Sequence, residues 1–421
     1  MAAERRPPAR FLEPDRTQLR LVPVDLDGLV RHDDPVRNVW AFVERLDLSV
    51  FYDQIRAVEG EPGRPAIDPR ILLSLWIQAT LEGVGSAREL ARLCERDVRY
   101  QWICGGVTPG YHRLSDFRSH SEQALSELLT NSVTVLMHRG LASLERVAHD
   151  GMRVRASAGA GSFRSRQRLR ELRRIAQEQV DRLREELDQD TEASTRRRKA
   201  SQARTAEQRT EQLDKALEEL NELDEKKKKS RNGKKKSQAR ASTTDPESRV
   251  MKMADGGFRP AWNVHFVSDT ASKCILAVDV TNDGSDQPAM IPMADQVRQR
   301  YGKDPQEWLA DGGCVSLAGV DALAGRQIAV IAPLRASRKS GIDPSQIRES
   351  DSDAVADWRI RMAQESTKEI YPQRGATAEL VNAHVRRRGL LQFLVRGASK
   401  VRSVVLLHAL VHNFQRSMAL S

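Results

Sequence analysis

Two aspartates in this chain each follow a short apolar run and are followed at once by glycine. They are Asp150 in RVAHDG and Asp311 in EWLADGG. Apolar runs of this length predict strands, and a glycine directly after the acid permits a tight turn. We therefore expect both carboxylates where their strands end, at the sheet edge that binds ligands in α/β folds. A single aspartate in this position is more often a turn residue or a helix cap, so the pair indicates a site only with a third group.

A third acid, Glu379, lies in a segment whose pattern predicts a helix. Asn382 and Arg386 follow it at steps of three and four, so the three side chains share one helix face. Alone, this arrangement is more often a surface ion pair. Three carboxylates from separated segments can hold two Mg²⁺ ions, which stabilise the attacking and leaving oxygens of a displacement at a phosphodiester. The acids thus predict metal-dependent chemistry on nucleic acid.

The overall charge favours a polyanionic partner. Lys and Arg number 68 against 58 Asp and Glu, a formal net charge of +10, and nucleic acid is the first candidate for such a chain. Basic proteins are common, so the charge supports this interpretation only beside a site. The four cysteines have no paired spacing for zinc and are typical of a reducing cytosol. No segment has the pattern of a membrane span or a secretion signal, and we expect a cytoplasmic protein.

Residues 1–140 predict a helical domain of the helix-turn-helix kind. Apolar residues recur there at steps of three and four, and Ser86 with Glu89 forms a capping box at the start of one helix. Ser115 is expected to begin the next helix. The arginines that we expect to contact DNA phosphates from this region are Arg88, Arg92 and Arg118. A small helical bundle with arginine on its solvated face is the alternative.

Residues 163–245 differ sharply in composition from the rest. Two apolar seams at steps of three and four predict two amphipathic helices, which form an antiparallel hairpin or a coiled coil with a second copy. The tail after them holds seven lysines between Lys226 and Lys236 and lacks an apolar stripe. Such a tail is expected to stay disordered until it meets an anion, and to bind nucleic acid electrostatically when near it.

From Val250 onward, short apolar and β-branched runs alternate with helical segments. The runs WNVHFVSD, CILAVDVTN, EWLADGG and QIAVIAPL predict strands, and the C-terminal part is rich in predicted helix. This alternation predicts a mixed α/β sheet.

These segments together resemble bacterial insertion-sequence transposases of the DDE class, which have a ribonuclease H-like catalytic domain. The resemblance rests on VAHDGMRVRASAGAGSFR around Asp150, WLADGGCVSLAGVDAL around Asp311 and YPQRGATAELVNAHVRRRGLLQF around Glu379. The stretch RELARLCERDVRYQWICGGVTPGYHRLSDFR is similar to the helical domain that precedes the catalytic domain in this group. The resemblance implies a helical DNA-binding domain at 1–140, a catalytic domain at 141–162 and 246–421, and a charged helical insertion at 163–245.

The resemblance also implies roles for individual residues. Asp150, Asp311 and Glu379 would form the catalytic and metal-ligating triad, with two Mg²⁺ ions and with Mn²⁺ as a substitute. The family's tyrosine-arginine-glutamate-lysine signature falls on Tyr371, Arg374, Glu379 and Arg386. Four residues rather than the usual three separate Arg374 from Glu379, and arginine replaces lysine at position 386, where phosphate contact is retained. The DNA-contacting residues of this segment would be Tyr371, Arg374, Asn382 and Arg386.

Other acids compete for the same roles. Asp255 in MADGG and Asp279 in LAVDV also lie beside apolar segments, and Glu365 and Glu369 precede Glu379. The fold that the resemblance implies requires acids on the first strand, the fourth strand and a late helix, an order that the proposed triad satisfies. Asp255 is the main alternative.

The expected function is that of a transposase that binds the terminal inverted repeats of its element, cleaves the ends and joins the 3′ hydroxyls to target DNA. Two ends must be brought together, so the resemblance implies a homodimer or higher homo-oligomer on DNA, at the nucleoid in the bacterial cytoplasm. A non-catalytic DNA-binding protein derived from a transposase is the alternative. A stand-alone nuclease of the same fold and a coiled-coil scaffold are the remaining hypotheses.

Overall fold

The computed structural model describes residues 25–55, 57, 65–189, 193–229, 238–334 and 343–420. Residues 230–237 of the predicted lysine-rich tail therefore lie outside the described residues. The expected disorder is wrong for residues 226–229, which end a helix. Within these ranges, no helix combines the length and the apolar character needed to cross a membrane.

Helices make up the described chain before the sheet. They are α1 (Pro35–Glu44), α2 (Ser49–Tyr52), α3 (Pro69–Leu81), α4 (Ala87–Arg96), α5 (Val98–Cys104), α6 (Tyr111–His120) and α7 (Glu122–His138). The side chains of Asp34 and Asp68 cap α1 and α3, each directly before a proline at the first helical position. Such a cap satisfies a free backbone N–H, and proline there costs no hydrogen bond.

The structure distinguishes the two helix starts that the sequence predicted. Ser86 Oγ accepts a hydrogen bond from the Glu89 backbone N–H at 3.3 Å, so the predicted cap of α4 is confirmed. The Ser115 cap is wrong, because α6 already begins at Tyr111 after an extended Gly110. Ser115 is an interior residue of that helix.

The strands form one large sheet and one small one. They are β1 (Arg146–Arg155), β2 (Phe163–Arg164), β3 (Ala241–Ser242), β4 (Arg249–Lys252), β5 (Phe258–Asp269), β6 (Ile275–Thr281), β7 (Glu307–Ala310) and β8 (Ala329–Ile331). The large sheet has the order β4-β5-β1-β7-β8, and β6 also pairs with β5. β5 is antiparallel to β1 and β6, whereas β7 is parallel to both β1 and β8. This mixed sheet around a central first strand has the ribonuclease H-like arrangement, which confirms the predicted fold class.

A helical hairpin separates β2 from β3. Its helices α8 (Arg166–Asp188) and α9 (Ala193–Lys229) bury a shared apolar stripe. Ion pairs join them at Arg166–Asp224, Arg173–Asp214 and Arg184–Glu207. Because the partner's number falls as the arginine's number rises, the helices are antiparallel, and the predicted hairpin is confirmed. The short β2–β3 pair closes its base.

The remaining helices surround the large sheet. They are α10 (Met290–Tyr301), α11 (Leu317–Ala324), α12 (Asp353–Ala363), α13 (Glu365–Ile370), α14 (Pro372–Arg387) and α15 (Ala398–Leu420). α15 packs against β6 and against α3, α6 and α7, and its Asn413 side chain hydrogen-bonds both backbone groups of Ile275 at the edge of β6. One apolar core includes side chains from the N-terminal helices and from the sheet. The domain boundary near residue 140 stays a prediction.

Candidate active site

Asp150 and Asp311 lie side by side on neighbouring strands. Parallel pairing of β1 with β7 puts His149 opposite Ala310, so the next residue of each strand carries its carboxylate where this pairing ends. The Arg374 guanidinium contacts both acids: its Nη2 bonds Asp150 Oδ1 and lies 3.7 Å from Asp311 Oδ2. The structure thus brings together the two aspartates that the sequence singled out.

Asp150 does not end its strand, contrary to the expectation from the sequence. β1 continues to Arg155, because β5 supplies antiparallel partners all the way to that residue. Gly151 is therefore not a turn residue and lies opposite His265 in mid-strand. A Cβ added at Gly151 would come within 2.6 Å of Asp286 Oδ1. Glycine here makes room for the Asp286 carboxylate against the strand.

Asp311 agrees with the expectation, since it follows the last residue of β7 and begins a turn. Its Oδ1 accepts a hydrogen bond from the Cys314 backbone N–H at 2.8 Å. A Cβ added at Gly313 would lie 3.0 Å from the same oxygen, so the turn favours glycine there. The Asp311 side chain is 40 % exposed against 17 % for Asp150. A ligand from solvent therefore reaches the pair from the Asp311 side.

Helix α14 supplies partners for both oxygens of Asp150. Arg374 contacts Oδ1, and Asn382 Nδ2 donates a hydrogen bond to Oδ2 at 2.7 Å. Arg374 and Asn382 are about two turns apart on the helix, which packs across β1 and β5. Both residues are expected to contact DNA; the structure places them on a carboxylate, and DNA contact stays a prediction.

Glu379 stands apart from the two aspartates. Its side chain is exposed on α14, about 140° around the helix from Arg374 and about 60° from Asn382. Across the described ranges, no group of three or more His, Cys, Asp or Glu side chains is arranged to hold a metal ion. Asp150 and Asp311 are therefore adjacent. Glu379 lies on α14, on a different face of that helix from Arg374, which contacts both aspartates.

Burial is the main electrostatic influence on Asp150. It raises the pKa of the Asp150 carboxyl, and the nearby carboxylates of Asp311 and Asp286 act in the same direction. The Arg374 charge and the hydrogen bond from Asn382 lower the pKa in opposition. The Asp150 carboxylate thus depends on partners within the protein to stay ionised.

Tyr371 lies beside the two aspartates at the N-terminal end of α14. It packs against the apolar side chains of Ala148, Leu309 and Ile331. Burial raises the pKa of its hydroxyl, and the two aspartate charges add to this effect. The contact of Tyr371 with DNA stays a prediction.

Sequence reasoning missed three residues behind the acids. His149 and His265 are fully buried, with Nε2 of the first 3.3 Å from Nδ1 of the second. Burial lowers the pKa of both imidazoles, so the pair is neutral near pH 7. Asp286 lies against Gly151 and accepts a hydrogen bond from Asn263 Nδ2. In the sequence, only Gly151 within its apolar run indicated that a group packs against this strand. The positions of His265 and Asp286 depend on the pairing of β1 with β5, which the local sequence does not reveal.

Three of the remaining arginines that we expect to contact DNA are exposed. Arg386 lies near the C-terminal end of α14, and Arg88 and Arg92 lie on α4. The Arg88 guanidinium is 5.0 Å from the centroid of the Tyr111 ring, and Arg92 pairs with Glu89 at 3.1 Å. All three side chains are accessible to a partner.

Arg118 does not lie on the solvated face of its helix, and that part of the prediction is wrong. Only 6 % of the residue is exposed. Its guanidinium lies 4.4 Å from the centroid of the Trp76 ring and donates a hydrogen bond to the Gly85 carbonyl. The packing of α6 against α3 and α4 turns this arginine inward.

Three of the four rival acids have cationic partners elsewhere in the chain. Asp255 pairs with Arg259 at 2.7 Å in the turn between β4 and β5. Asp279 pairs with Arg402 at 3.2 Å, and Glu365 pairs with Lys368 at 3.0 Å. Glu369 is exposed on α13. The ion pairs of these rival acids are separate from the pair that Arg374 contacts.

Comparisons with known protein families identify two transposase domains in the chain. The model of the Transposase domain (DUF772) matches residues 24–120, and the model of the Transposase DDE domain matches residues 226–414. Together the matches cover well over half of the chain, and the chain belongs to the DDE transposases of insertion sequences. The DDE match includes Asp311 and Glu379 and begins after Asp150. No curated protein and no solved structure matches the chain significantly.

DDE transposases generally depend on a divalent metal ion. The residues at Asp150 and Asp311 fit such an ion, because hard cations prefer carboxylate oxygens and the two carboxylates already flank one cationic group, that of Arg374. Glu379 is not part of this arrangement. Asp150 and Asp311 thus fit a metal ion as a pair, and Glu379 lies on α14, the helix that carries Arg374.

Proposed function

We propose that this transposase binds the terminal inverted repeats of its insertion sequence, cleaves the DNA at the element ends and transfers the 3′-hydroxyl strands to target DNA. The observation that carries the proposal is that Asp150 on β1 lies beside Asp311, which directly follows the neighbouring strand β7 of a ribonuclease H-like sheet. The net charge of +10 supports DNA as the substrate.

Asp150, Asp311 and Glu379 are the residues proposed to hold two Mg²⁺ ions, with Mn²⁺ as a substitute. When bound, the ions supply charge stabilisation to the attacking and leaving oxygens of the phosphodiester. Asp150 is held by hydrogen bonds on both oxygens, so its carboxylate is fixed in orientation. Glu379 is exposed on α14 and is proposed to complete the metal site when DNA and metal are bound.

The arginines and the tyrosine around the acids are proposed to hold the DNA backbone. Tyr371 and Arg374 lie beside the carboxylates, and Arg386 is exposed three turns further along α14. An Arg guanidinium binds two phosphate oxygens at once, so Arg386 replaces lysine without loss of phosphate contact. Arg88 and Arg92 are proposed to contact DNA from α4. The acting form is proposed to be a homodimer or higher homo-oligomer on DNA, at the nucleoid in the cytoplasm.

A joining assay tests this function. The purified full chain is mixed with Mg²⁺, a labelled duplex that carries the end of its own element and a target plasmid. Wild type is expected to nick the end and to form joined products, whereas Asp150→Asn, Asp311→Asn and Glu379→Gln bind the duplex and form neither. Asp255→Asn serves as the matched control and as a test of the main rival acid, and it should retain both products. Cutting without joining by wild type would instead indicate a stand-alone nuclease.

A non-catalytic DNA-binding protein is the second candidate function. The observation that favours it is the separation of Glu379 from the two aspartates. In that case wild type binds the end duplex with Mg²⁺ or Mn²⁺ and produces no cut product at any protein concentration.

A further inference from the structure

A cavity of about 230 Å³ lies where two loops meet, and neither Asp150 nor Asp311 is part of its lining. One loop, residues 83–85, joins α3 to α4, and the other, residues 388–394, joins α14 to α15. The loops touch closely: a Cβ added at Gly389, whose φ is +87°, would lie 3.1 Å from the Gly83 carbonyl oxygen. A water in the liquid occupies about 30 Å³, so the cavity has room for a polyatomic ligand.

Two buried arginines line this cavity. Arg118 and Arg388 are only 6 % and 7 % exposed. Burial lowers the pKa of each guanidinium to about 10, so both are positively charged at neutral pH. Arg118 Nε and Arg388 Nη1 are buried without a hydrogen-bond partner among the described residues.

A third polar group, the His408 imidazole, also lines the cavity and lies near the charges of both arginines. His408 on α15 is buried, and its Nδ1 also lacks a partner in the described part of the chain. Burial lowers the pKa of His408 to about 3, and the Arg388 and Arg118 charges act in the same direction. Both arginines therefore lie near the same imidazole, which stays neutral.

The described cavity walls hold no carboxylate to neutralise the two positive charges, although the Trp76 ring and the Gly85 carbonyl contact Arg118. The described residues that line the cavity are apolar, backbone or uncharged polar groups apart from the arginines and His408, and none is Asp or Glu. Neither guanidinium forms an ion pair with a described carboxylate. Buried charges without a counter-charge are strongly unfavourable. Water could satisfy the donors, but it would leave the charges uncompensated.

We propose that this cavity is a binding site for an oxyanion of the phosphate class, held by Arg118 and Arg388. Guanidinium groups bind phosphate oxygens in pairs, and two of them compensate the charge of one such anion. The occupant in the working protein is either a DNA backbone phosphate or a free phosphate ion. The site does not depend on the catalytic proposal, because phosphate binding is measured without DNA, metal or turnover.

Thermal unfolding of the full chain with increasing inorganic phosphate tests the site. Sodium chloride at matched ionic strength controls for screening of surface charge. Wild type is expected to gain about 2 °C or more, with saturation, in phosphate but not in chloride. Arg388→Gln should lose this gain, whereas Arg387→Gln, which removes one exposed charge from the adjacent position, should keep it. Equal gains in Arg388→Gln and wild type would overturn the proposal.

Calorimetric titration of wild type with inorganic phosphate gives a result that needs no variant. A saturable heat near one phosphate per chain is expected, and absence of saturable binding would overturn the site even if Arg388→Gln fails to fold. A short DNA duplex then separates the two sources. If the occupant is a backbone phosphate, the duplex competes with inorganic phosphate and binds Arg388→Gln more weakly; if it is a free anion, the phosphate affinity is unchanged by the duplex.

Discussion

The two ends of α14 hold arginines in opposite electrostatic surroundings. In the first turn, Arg374 contacts the carboxylates of Asp150 and Asp311. At the C-terminal end, Arg388 is buried beside Arg118 in a cavity whose described lining holds no carboxylate. Carboxylates of the chain neutralise the charge of Arg374, whereas no carboxylate in the described cavity lining neutralises that of Arg388. Burial alone therefore does not distinguish a structural arginine from a ligand-binding one, whereas the charge of its partners does.

The largest expected effect on stability is at Arg374. Arg374→Gln leaves the mostly buried Asp150 carboxylate without its cation, and the free energy of unfolding should fall by about 3 kcal/mol in a urea titration at neutral pH. Arg388→Gln removes a buried charge that has no described carboxylate partner, so in phosphate-free buffer it should leave the free energy of unfolding unchanged or raise it. The double variant Asp150→Asn with Arg374→Gln should recover most of the loss. Equal losses at Arg374 and Arg388 would remove the contrast between the two ends of α14.

Gly151→Ala should be the next largest change. The added Cβ meets the Asp286 carboxylate at 2.6 Å and His265 at 3.2 Å, and such overpacking in a central strand costs about 2 kcal/mol of unfolding free energy. Asp286→Ala in the same chain should relieve part of this cost. Gly161→Ala, where no atom lies within 4 Å of the added Cβ, is the control and should be near neutral. If Gly151→Ala unfolds like wild type, Asp286 does not lie against the strand.

His408, which lines the cavity at the C-terminal end of α14, predicts a dependence of stability on pH. The pKa of His408 is lowered to about 3 in the folded protein, against about 6.5 in the unfolded chain. The unfolded chain therefore binds a proton that the folded chain does not, so this contribution is complete above pH 6.5 and is lost as the pH falls towards 3. At pH 5.5 the loss is about 1 kcal/mol. His408→Leu should lessen the difference between urea titrations at pH 7.5 and 5.5, and the exposed His120→Gln should not.

The smallest expected effect on stability is at Arg92, an exposed arginine with an exposed ion-pair partner. Arg92 is 56 % exposed and pairs with Glu89 one turn away, so Arg92→Gln should change the unfolding free energy by less than about 0.5 kcal/mol. If Arg92 contacts a phosphate, the slope of log affinity for DNA against log salt should fall by about 1. An unchanged slope would remove Arg92 from the proposed DNA surface.

Local pattern predicted the sheet and the pair of aspartates, because both acids follow apolar runs that form β1 and β7. The end of β1 was predicted wrongly at Asp150, since the partner that extends the strand, β5, lies about a hundred positions further along the chain. The contacts of Arg374 and Asn382 with Asp150 depend on how α14 crosses the sheet. Arg118 was placed on the surface because helical periodicity does not reveal that Trp76 covers its inner side.

Single-turnover cleavage of a labelled end duplex tests the central claim, that Asp150 and Asp311 form the catalytic centre. Wild type and Asp150→Asn are compared in Mg²⁺ at DNA and protein concentrations that saturate binding for both. The expected result is equal DNA affinity with a cleavage rate about 1000-fold lower for Asp150→Asn, a loss of the size that metal stabilisation of the transition state supplies. A rate within about tenfold of wild type would contradict the claim.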